Sequence, residues 1–311
     1  MKKTVLSVLL GSLMMTALAA SAETKIGVTM VDYNDTFRTL LRDGIADAAK
    51  KEGVVVAFED AKSDVGTQIG QVQNFIAGKF DAIIIQAVDT DATPKITQLV
   101  AAANIPLIYV NLKPTDFEKL PPSATVVASD EMVGGTLEAT QVCKLLGGKG
   151  NVLVLMGDLA HEAARTRTKA VEETFKTPEC SGMTILDKRE GKWSRVTAQD
   201  LMLNWISGSM KFDAIIANND EMALGAINAL KSTKTMKPTT VVAGIDATSD
   251  ALAAMKAGDL KVTVFQNAKA QGQGAIDAAI KLIKKEKVER FVNVPFELVT
   301  PENMGQYAAP K

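Results

Sequence analysis

Short apolar runs alternate with amphipathic stretches along most of this chain, and that alternation restricts its fold more than any other feature. The runs are Lys25–Met30, Val54–Glu59, Ala82–Gln86, Leu107–Asn111, Thr125–Ala128, Asn151–Gly157, Met183–Asp187, Ala214–Ala217, Val241–Asp246 and Val262–Phe265. Each is short and nearly all apolar, which predicts strands buried on both faces of a parallel sheet. Between them, Phe37–Lys51, Thr67–Gly78, Pro94–Ala103, Gly134–Leu146, Arg165–Phe175, Thr197–Gly208 and Glu221–Ser232 carry apolar residues at helical spacing. Repeated strand–helix units predict an α/β fold with right-handed crossovers and helices on both faces of the sheet. One series of units runs to about Val127 and a second begins near Asp130. No Pro-, Ser- or Gly-rich linker separates them, so two closely joined lobes are expected.

The first 22 residues stand outside this pattern. Lys2 and Lys3 precede an apolar stretch from Val5 to Ala19, and Ala20-Ser21-Ala22 is a small-x-small cleavage signal followed by Glu23. This reads as a secretory signal peptide cut after Ala22, too short with such flanks for a membrane span. The remaining 289 of the 311 residues carry a formal charge of −3 where the whole chain has −1. Such a balance argues against a dedicated nucleic-acid binder, which would present a basic face. No later stretch approaches 18 apolar residues, so an exported soluble protein is expected, in the periplasm. His161 is the single histidine, thin material for a metal site. Cys143 and Cys180 are the only cysteines. An oxidising compartment permits their pairing, but spacing alone leaves the disulfide open.

In a parallel α/β sheet, ligands bind at the carboxyl ends of the strands. Here those ends are polar. The first strand is followed by Asp32-Tyr33-Asn34-Asp35-Thr36-Phe37, the fourth ends at Asn111, and Asn151–Gly157 leads to His161, Arg165 and Arg167. Later ends present Trp193, then Asn218-Asn219-Asp220, Asp246 and Gln266. Amides, carboxylates and an Arg suit a neutral polyhydroxylated ligand, because each hydroxyl both donates and accepts. Phe37 and Trp193 offer flat apolar surfaces for the C–H face of a ring. Each residue also has a plainer reading. Asp35, Asn219 and Asp246 suit helix caps, Phe37 a core position and His161 a surface loop. Arg165 reads as part of a solvated helix face.

Catalytic motifs are missing. Gly147-Gly148-Lys149-Gly150 precedes a strand and lacks phosphate-loop spacing, and Arg165 stands where a zincin helix needs its second His. No Gly-x-Ser-x-Gly elbow occurs, and Asp89-Thr90-Asp91 lacks the rest of a calcium loop. A non-enzymatic protein without metal or cofactor is expected.

The residues quoted resemble those of the periplasmic sugar-binding proteins of ABC transporters, in the ribose and galactose group. The resemblance rests on Lys25-Ile26-Gly27-Val28-Thr29 with Asp35-Thr36-Phe37, on Asn104-Ile105-Pro106, and on Asn218-Asn219-Asp220-Glu221-Met222-Ala223-Leu224-Gly225-Ala226. Gly244-Ile245-Asp246 and Thr263-Val264-Phe265-Gln266 extend it, and it spans the mature chain. Glu59-Asp60-Ala61-Lys62-Ser63-Asp64, Leu107-Ile108-Tyr109-Val110-Asn111 and Thr300-Pro301-Glu302-Asn303 look most like the inositol-binding members.

The resemblance implies a type I periplasmic binding fold: two Rossmann-like lobes of parallel sheet flanked by helices, joined by a three-crossover hinge. It implies an N-terminal lobe of 23–128 plus 267–295 and a C-terminal lobe of 129–266 plus 296–311. It places the ring contacts on Asp35, Phe37, Asn111, His161, Arg167, Trp193, Asn219, Asp246 and Gln266, and so selects Arg167 over Arg165. Leu112, Arg38 and Ala163 depart from the ribose and galactose patterns and leave a cyclic polyol or another hexose, myo-inositol first. The implied partners are a small neutral sugar or cyclitol, a membrane permease with its ATPase and, in some members, a chemoreceptor; a monomer is expected. The competing readings are an exported module that presents a sugar to a receptor, and a secreted sugar-modifying enzyme built on Asp35 and Asp246.

Overall fold

The computed structural model describes residues 23–307. The signal-peptide reading of residues 1–22 therefore lies outside the described residues, as do the last four residues of the proposed C-terminal lobe. In chain order the first half contains β1 (Lys25–Met30), α1 (Thr36–Glu52), β2 (Val55–Asp60), α2 (Val65–Ala77), β3 (Ala82–Ile85), α3 (Thr93–Ala102), β4 (Leu107–Val110), β5 (Ala124–Ala128) and α4 (Glu131–Leu145). There follow β6 (Lys149–Met156), α5 (Glu162–Thr174), β7 (Gly182–Glu190), α6 (Arg195–Ser207), β8 (Ala214–Ala217), α7 (Asp220–Ser232), β9 (Val241–Ala243) and α8 (Ser249–Lys256). The chain then forms β10 (Thr263–Phe265), α9 (Ala268–Ile283), β11 (Phe291–Asn293) and β12 (Glu297–Val299).

Two parallel sheets result, of order β11-β5-β4-β3-β1-β2 and β7-β6-β8-β9, with β10 and β12 paired antiparallel beside the second. Isolated parallel bridges at Ala243–Val262 and Asp246–Phe265 tie that ribbon to the end of β9. The chain passes between the sheets three times: after β5, after β10 and between β11 and β12. This is the doubly wound α/β architecture expected from the alternation.

Each central strand faces two cores because its side chains alternate. Ile83 and Ile85 pack with Val72 and Phe75 of α2, whereas Ile84 joins Ile26, Leu41 of α1 and Ile276 of α9. In the second lobe Leu153 and Ile215 pack under α6 and α7, and Val152 and Ile216 under α4 and α5. Helices α1 and α9 approach to backbone contact. A Cβ on Gly272 would lie 2.6 Å from the Gly44 carbonyl carbon, and one on Gly44 would lie 2.9 Å from Lys269 Cα.

The sequence pattern missed some elements for physical reasons. Strands β2 and β7 lie at sheet edges and are half exposed, not buried on both faces. Helices α2, α4 and α6 start earlier than their apolar periodicity, because Asp64, Asp130 and Ser194 cap the first-turn amides of Thr67, Met132 and Thr197. The apolar stripe of α9 is interrupted by Gln271-Gly272-Gln273-Gly274, and β11 and β12 are only three residues each. None of the described helices is long and apolar enough to cross a membrane.

Cys143 of α4 and Cys180 are joined in a disulfide, with Cα atoms 5.8 Å apart and both residues buried. The link closes a loop of 37 residues. In the chain-entropy model such a loop contributes about 4 kcal/mol to stability. Replacing both cysteines by Ser is expected to lower the unfolding free energy by about 2–4 kcal/mol, measured by urea unfolding without reductant. A loss below about 1 kcal/mol would show that the bridge adds little to the packed pair.

Candidate functional site

All nine residues singled out in the sequence line one cavity at the carboxyl ends of both sheets. Arg38, Gln86, Leu112 and Ala163 complete its wall, and it encloses about 370 Å3 counting its open mouth.

The first lobe contributes Asp35, Phe37, Gln86 and Asn111. Asp35 is both a cap and a cavity residue: its Oδ1 accepts from the Arg38 amide at 2.9 Å. Phe37 likewise serves both the core around Leu41 and the cavity. Gln86 was read as the last residue of a strand, yet it stands one position past β3, where strand ends supply ligands. Its Nε2 donates to Asn111 Oδ1 at 2.9 Å, and its own Oε1 is buried without a partner among the described residues.

The second lobe contributes the rest. His161 is buried, not a surface loop residue. Trp193 Nε1–H donates to His161 Nδ1 at 2.8 Å, so the proton sits on Nε2, which meets the Val88 carbonyl of the other lobe at 3.1 Å. Burial first, then Arg38, pushes the His161 pKa down to about 4, and the ring is neutral. Asn219 caps α7 through Met222 N–H, and its Nδ2 reaches the Trp193 carbonyl at 3.4 Å. Asp246 is not the cap of α8; Thr248 fills that role.

Each nitrogen of Arg167 has a protein partner. Its Nε donates to Glu131 Oε2 at 2.5 Å, Nη1 to the Asn218 carbonyl at 2.6 Å, and Nη2 to Gln266 Oε1 at 3.2 Å. The guanidinium also lies 5.6 Å from the Trp193 ring centroid. Burial opposes its charge, but Glu131, Asp246 and Glu138 together outweigh that, and its pKa is raised. Glu131 carries no mark in the sequence beyond an acid in a first helical turn, which the helix dipole alone would explain. Arg165 corrects the solvated-face reading. It leaves the cavity but reaches across the cleft to Asp91 Oδ1 at 3.2 Å and Thr90 Oγ1 at 3.3 Å.

Three cavity residues hold positive φ without being glycine: Asn111 at 66°, Trp193 at 62° and Asp246 at 128°. Such conformations cost about 1–3 kcal/mol each and persist where the surroundings over-determine them. Trp193 is fixed by close approach: a Cβ on Gly157 would lie 2.2 Å from the indole. Burial, then the neighbouring Asp220 carboxylate, pushes the Asp246 pKa well above the carboxylate range, and Arg167 only partly offsets this. Among the described residues no cluster of His, Cys, Asp and Glu suits a metal ion.

Comparison with known proteins agrees with this architecture. Residues 26–287 match the model of the periplasmic binding protein domain. The chain belongs to that family. A Rhizobium meliloti protein provisionally named for rhizopine binding is 50% identical over 99% of both chains. The ribose import binding protein of Bacillus subtilis is 30% identical over 89% of this chain and 88% of its own. An ABC transporter solute-binding protein of Bacillus halodurans, solved with bound myo-inositol, superposes with a TM-score of 0.87 at 37% identity, covering 94% of this chain and 99% of that one. The fold is that of type I periplasmic binding proteins, and the protein is a periplasmic sugar-binding protein of the ABC-transporter type. Members of the family are solute-binding proteins, not enzymes.

Asp246→Asn is expected to stabilise the protein by about 1–2 kcal/mol at pH 8, since a strained, buried acid is retained at the expense of stability. The raised native pKa means that the native state holds more protons than the unfolded state between the two pKa values. Stability therefore falls as pH rises through that window, and the amide should flatten the fall. Urea unfolding from pH 5 to 8 measures both, and a variant no more stable than wild type at pH 8 would contradict the assignment.

Proposed function

We propose that the protein captures a monosaccharide or cyclitol in this cavity, with myo-inositol the best single candidate, and delivers it to a membrane permease driven by its ATPase. The proposal takes residues 23–128 plus 267–295 as one lobe and 129–266 plus 296–311 as the other, following export and cleavage after Ala22. Ligand enters the open cleft, the lobes close by hinge motion, and the bound ring bridges them. Asp35, Asn111, Asn219, Asp246, Arg167 and Gln266 meet the hydroxyls, while Phe37 and Trp193 cover the two faces of the ring.

The observation that carries the reading is the convergence on one small cavity of residues from the strand ends of both sheets. Gln86 Oε1 and Gln266 Nε2 support it: one acceptor and one donor in the wall are buried without partners among the described residues. Such groups are costly unless a hydroxyl completes them. The bound cyclitol of the Bacillus halodurans relative favours the same ligand class.

A thermal-shift screen of cyclitols, pentoses and hexoses tests the ligand class. At 100 times its dissociation constant a true ligand stabilises by about 2.7 kcal/mol, and myo-inositol is expected to give the largest shift. A larger shift from a pentose would overturn the cyclitol assignment, and no shift from any compound would overturn the binding site. Arg167→Ala is expected to weaken binding by roughly 2–4 kcal/mol, because a charge-assisted bond is lost with its partners left buried. A loss below about tenfold would remove Arg167 from the ligand's contacts.

A further inference from the structure

The amino terminus of α5 is capped from the other lobe. His161 occupies the N-cap position by sequence, but its side chain makes no cap bond. Instead the Glu162 amide donates at 3.0 Å to Thr90 Oγ1, which belongs to the first lobe. The same hydroxyl donates to the Ala160 carbonyl at 2.9 Å, and the Thr90 amide meets that carbonyl at 3.0 Å. Thr90 is itself held rigidly, its carbonyl accepting from the hydroxyls of Thr93 and Thr115. Beside it, His161 spans the cleft from Val88 to Trp193 with both ring nitrogens engaged.

We propose that this junction is a clasp that couples cleft closure to ligand capture, with Thr90 as the cap that α5 acquires on closing and His161 as a positioning residue that sets Trp193. The chemistry of the two side chains fits these roles. A neutral imidazole can accept from an indole and donate to a carbonyl at once, whereas an imidazolium only donates. Opening the cleft would free Nε2 and leave an α5 amide uncapped. The charged groups that influence the ring are Arg38 from α1, Asp89 from the loop after β3 and Asp158 from the loop before α5. Glu162 follows it in the chain and pairs with Lys113 of the first lobe. Closure buries the ring, so acid should favour the open form. Between the ordinary histidine pKa of about 6.5 and the buried value of about 4, only the open form takes up the proton. Affinity should therefore fall up to about tenfold per pH unit across that window.

The coupling part of the inference rests on ligand binding in this cavity, so the test has a ligand-free arm. In a Trp205→Phe background Trp193 is the only tryptophan. Its emission without ligand is expected to titrate in acid, and His161→Gln should abolish that transition. Identical profiles for both would overturn the role of His161. In the second arm, myo-inositol binding is followed by calorimetry from pH 7 to 4.5. His161→Gln should remove most of the wild type's fall in affinity. Thr90→Val should weaken binding about 5- to 30-fold, chiefly through faster release, and Thr90→Ser should restore it. Wild-type affinity in Thr90→Val would overturn the clasp. Should wild type fail to bind myo-inositol, the ligand assignment falls. The clasp is then judged with the compound that gives the largest thermal shift: weaker binding in Thr90→Val than in Thr90→Ser supports it, and equal binding in the two variants overturns it.

Discussion

The guanidinium of Arg167 is the point on which the second lobe and the cavity both depend. A buried cation is tolerated only when its donors are satisfied and its charge is met. Here Glu131 meets the charge, the Asn218 carbonyl takes a second nitrogen, and Gln266 takes a third. The partners are not arbitrary. Glu131 opens α4 directly after the chain first crosses between sheets, and Gln266 stands just before it crosses back. One side chain thus fixes two of the three strands of the hinge against the end of β8. The same geometry keeps a charged donor at the cavity wall in a fixed orientation, which lowers the entropy a ligand must give up on binding.

The polar groups behind Arg167 extend this arrangement. Asp220 accepts from the Thr263 and Thr248 hydroxyls and from the Thr248 amide, yet burial still pushes its pKa up to about 7. Glu138 is fully buried, both of its oxygens lack partners among the described residues, and burial holds its pKa well above the carboxylate range. A hydrophobic core of this volume would be more stable than one carrying these acids. With the positive φ of Trp193 and Asp246, they place the least favourable local interactions around the cavity, as expected where geometry has been kept for binding.

Much of this was legible from sequence because parallel α/β sheets obey a positional rule. Any polar residue directly after a parallel strand lies on the cleft side, whatever the order of the strands. That rule alone brought Asp35, Asn111, Asn219, Asp246 and Gln266 together. Its failures are as instructive. Gln86 was lost by one residue at the end of β3, since strand length has no sharp mark in an apolar run. Arg165 and Arg167 share a helix, and the resemblance selects Arg167, but spacing alone does not show that one faces the cavity and the other the opposing lobe. Glu131 was invisible because its partner is 36 residues away and nothing local distinguishes it from a helix-dipole acid. The disulfide was open for the same reason: the Cys143–Cys180 distance is set by how α4 packs on α5.

The contacts across the cleft are of a kind that leaves closure to the ligand. The apolar part is a small cluster of Val31, Ala61, Val88 and Leu112 with Ala163 and Trp193. The rest consists of single hydrogen bonds, such as Thr36 to Glu221, and of partly exposed ion pairs, Lys113–Glu162 and Arg165–Asp91. Exposed pairs contribute about 0–1 kcal/mol each and neutral hydrogen bonds about 1 kcal/mol net. Against these stands the desolvation of Asp35 and Asp246 as the cavity closes around them. The two sets of terms oppose each other. Such a cleft can be biased by the differential affinity of a ligand for its closed form. A large apolar interface between the lobes would hold the cleft shut, and release would then be slow whatever the ligand.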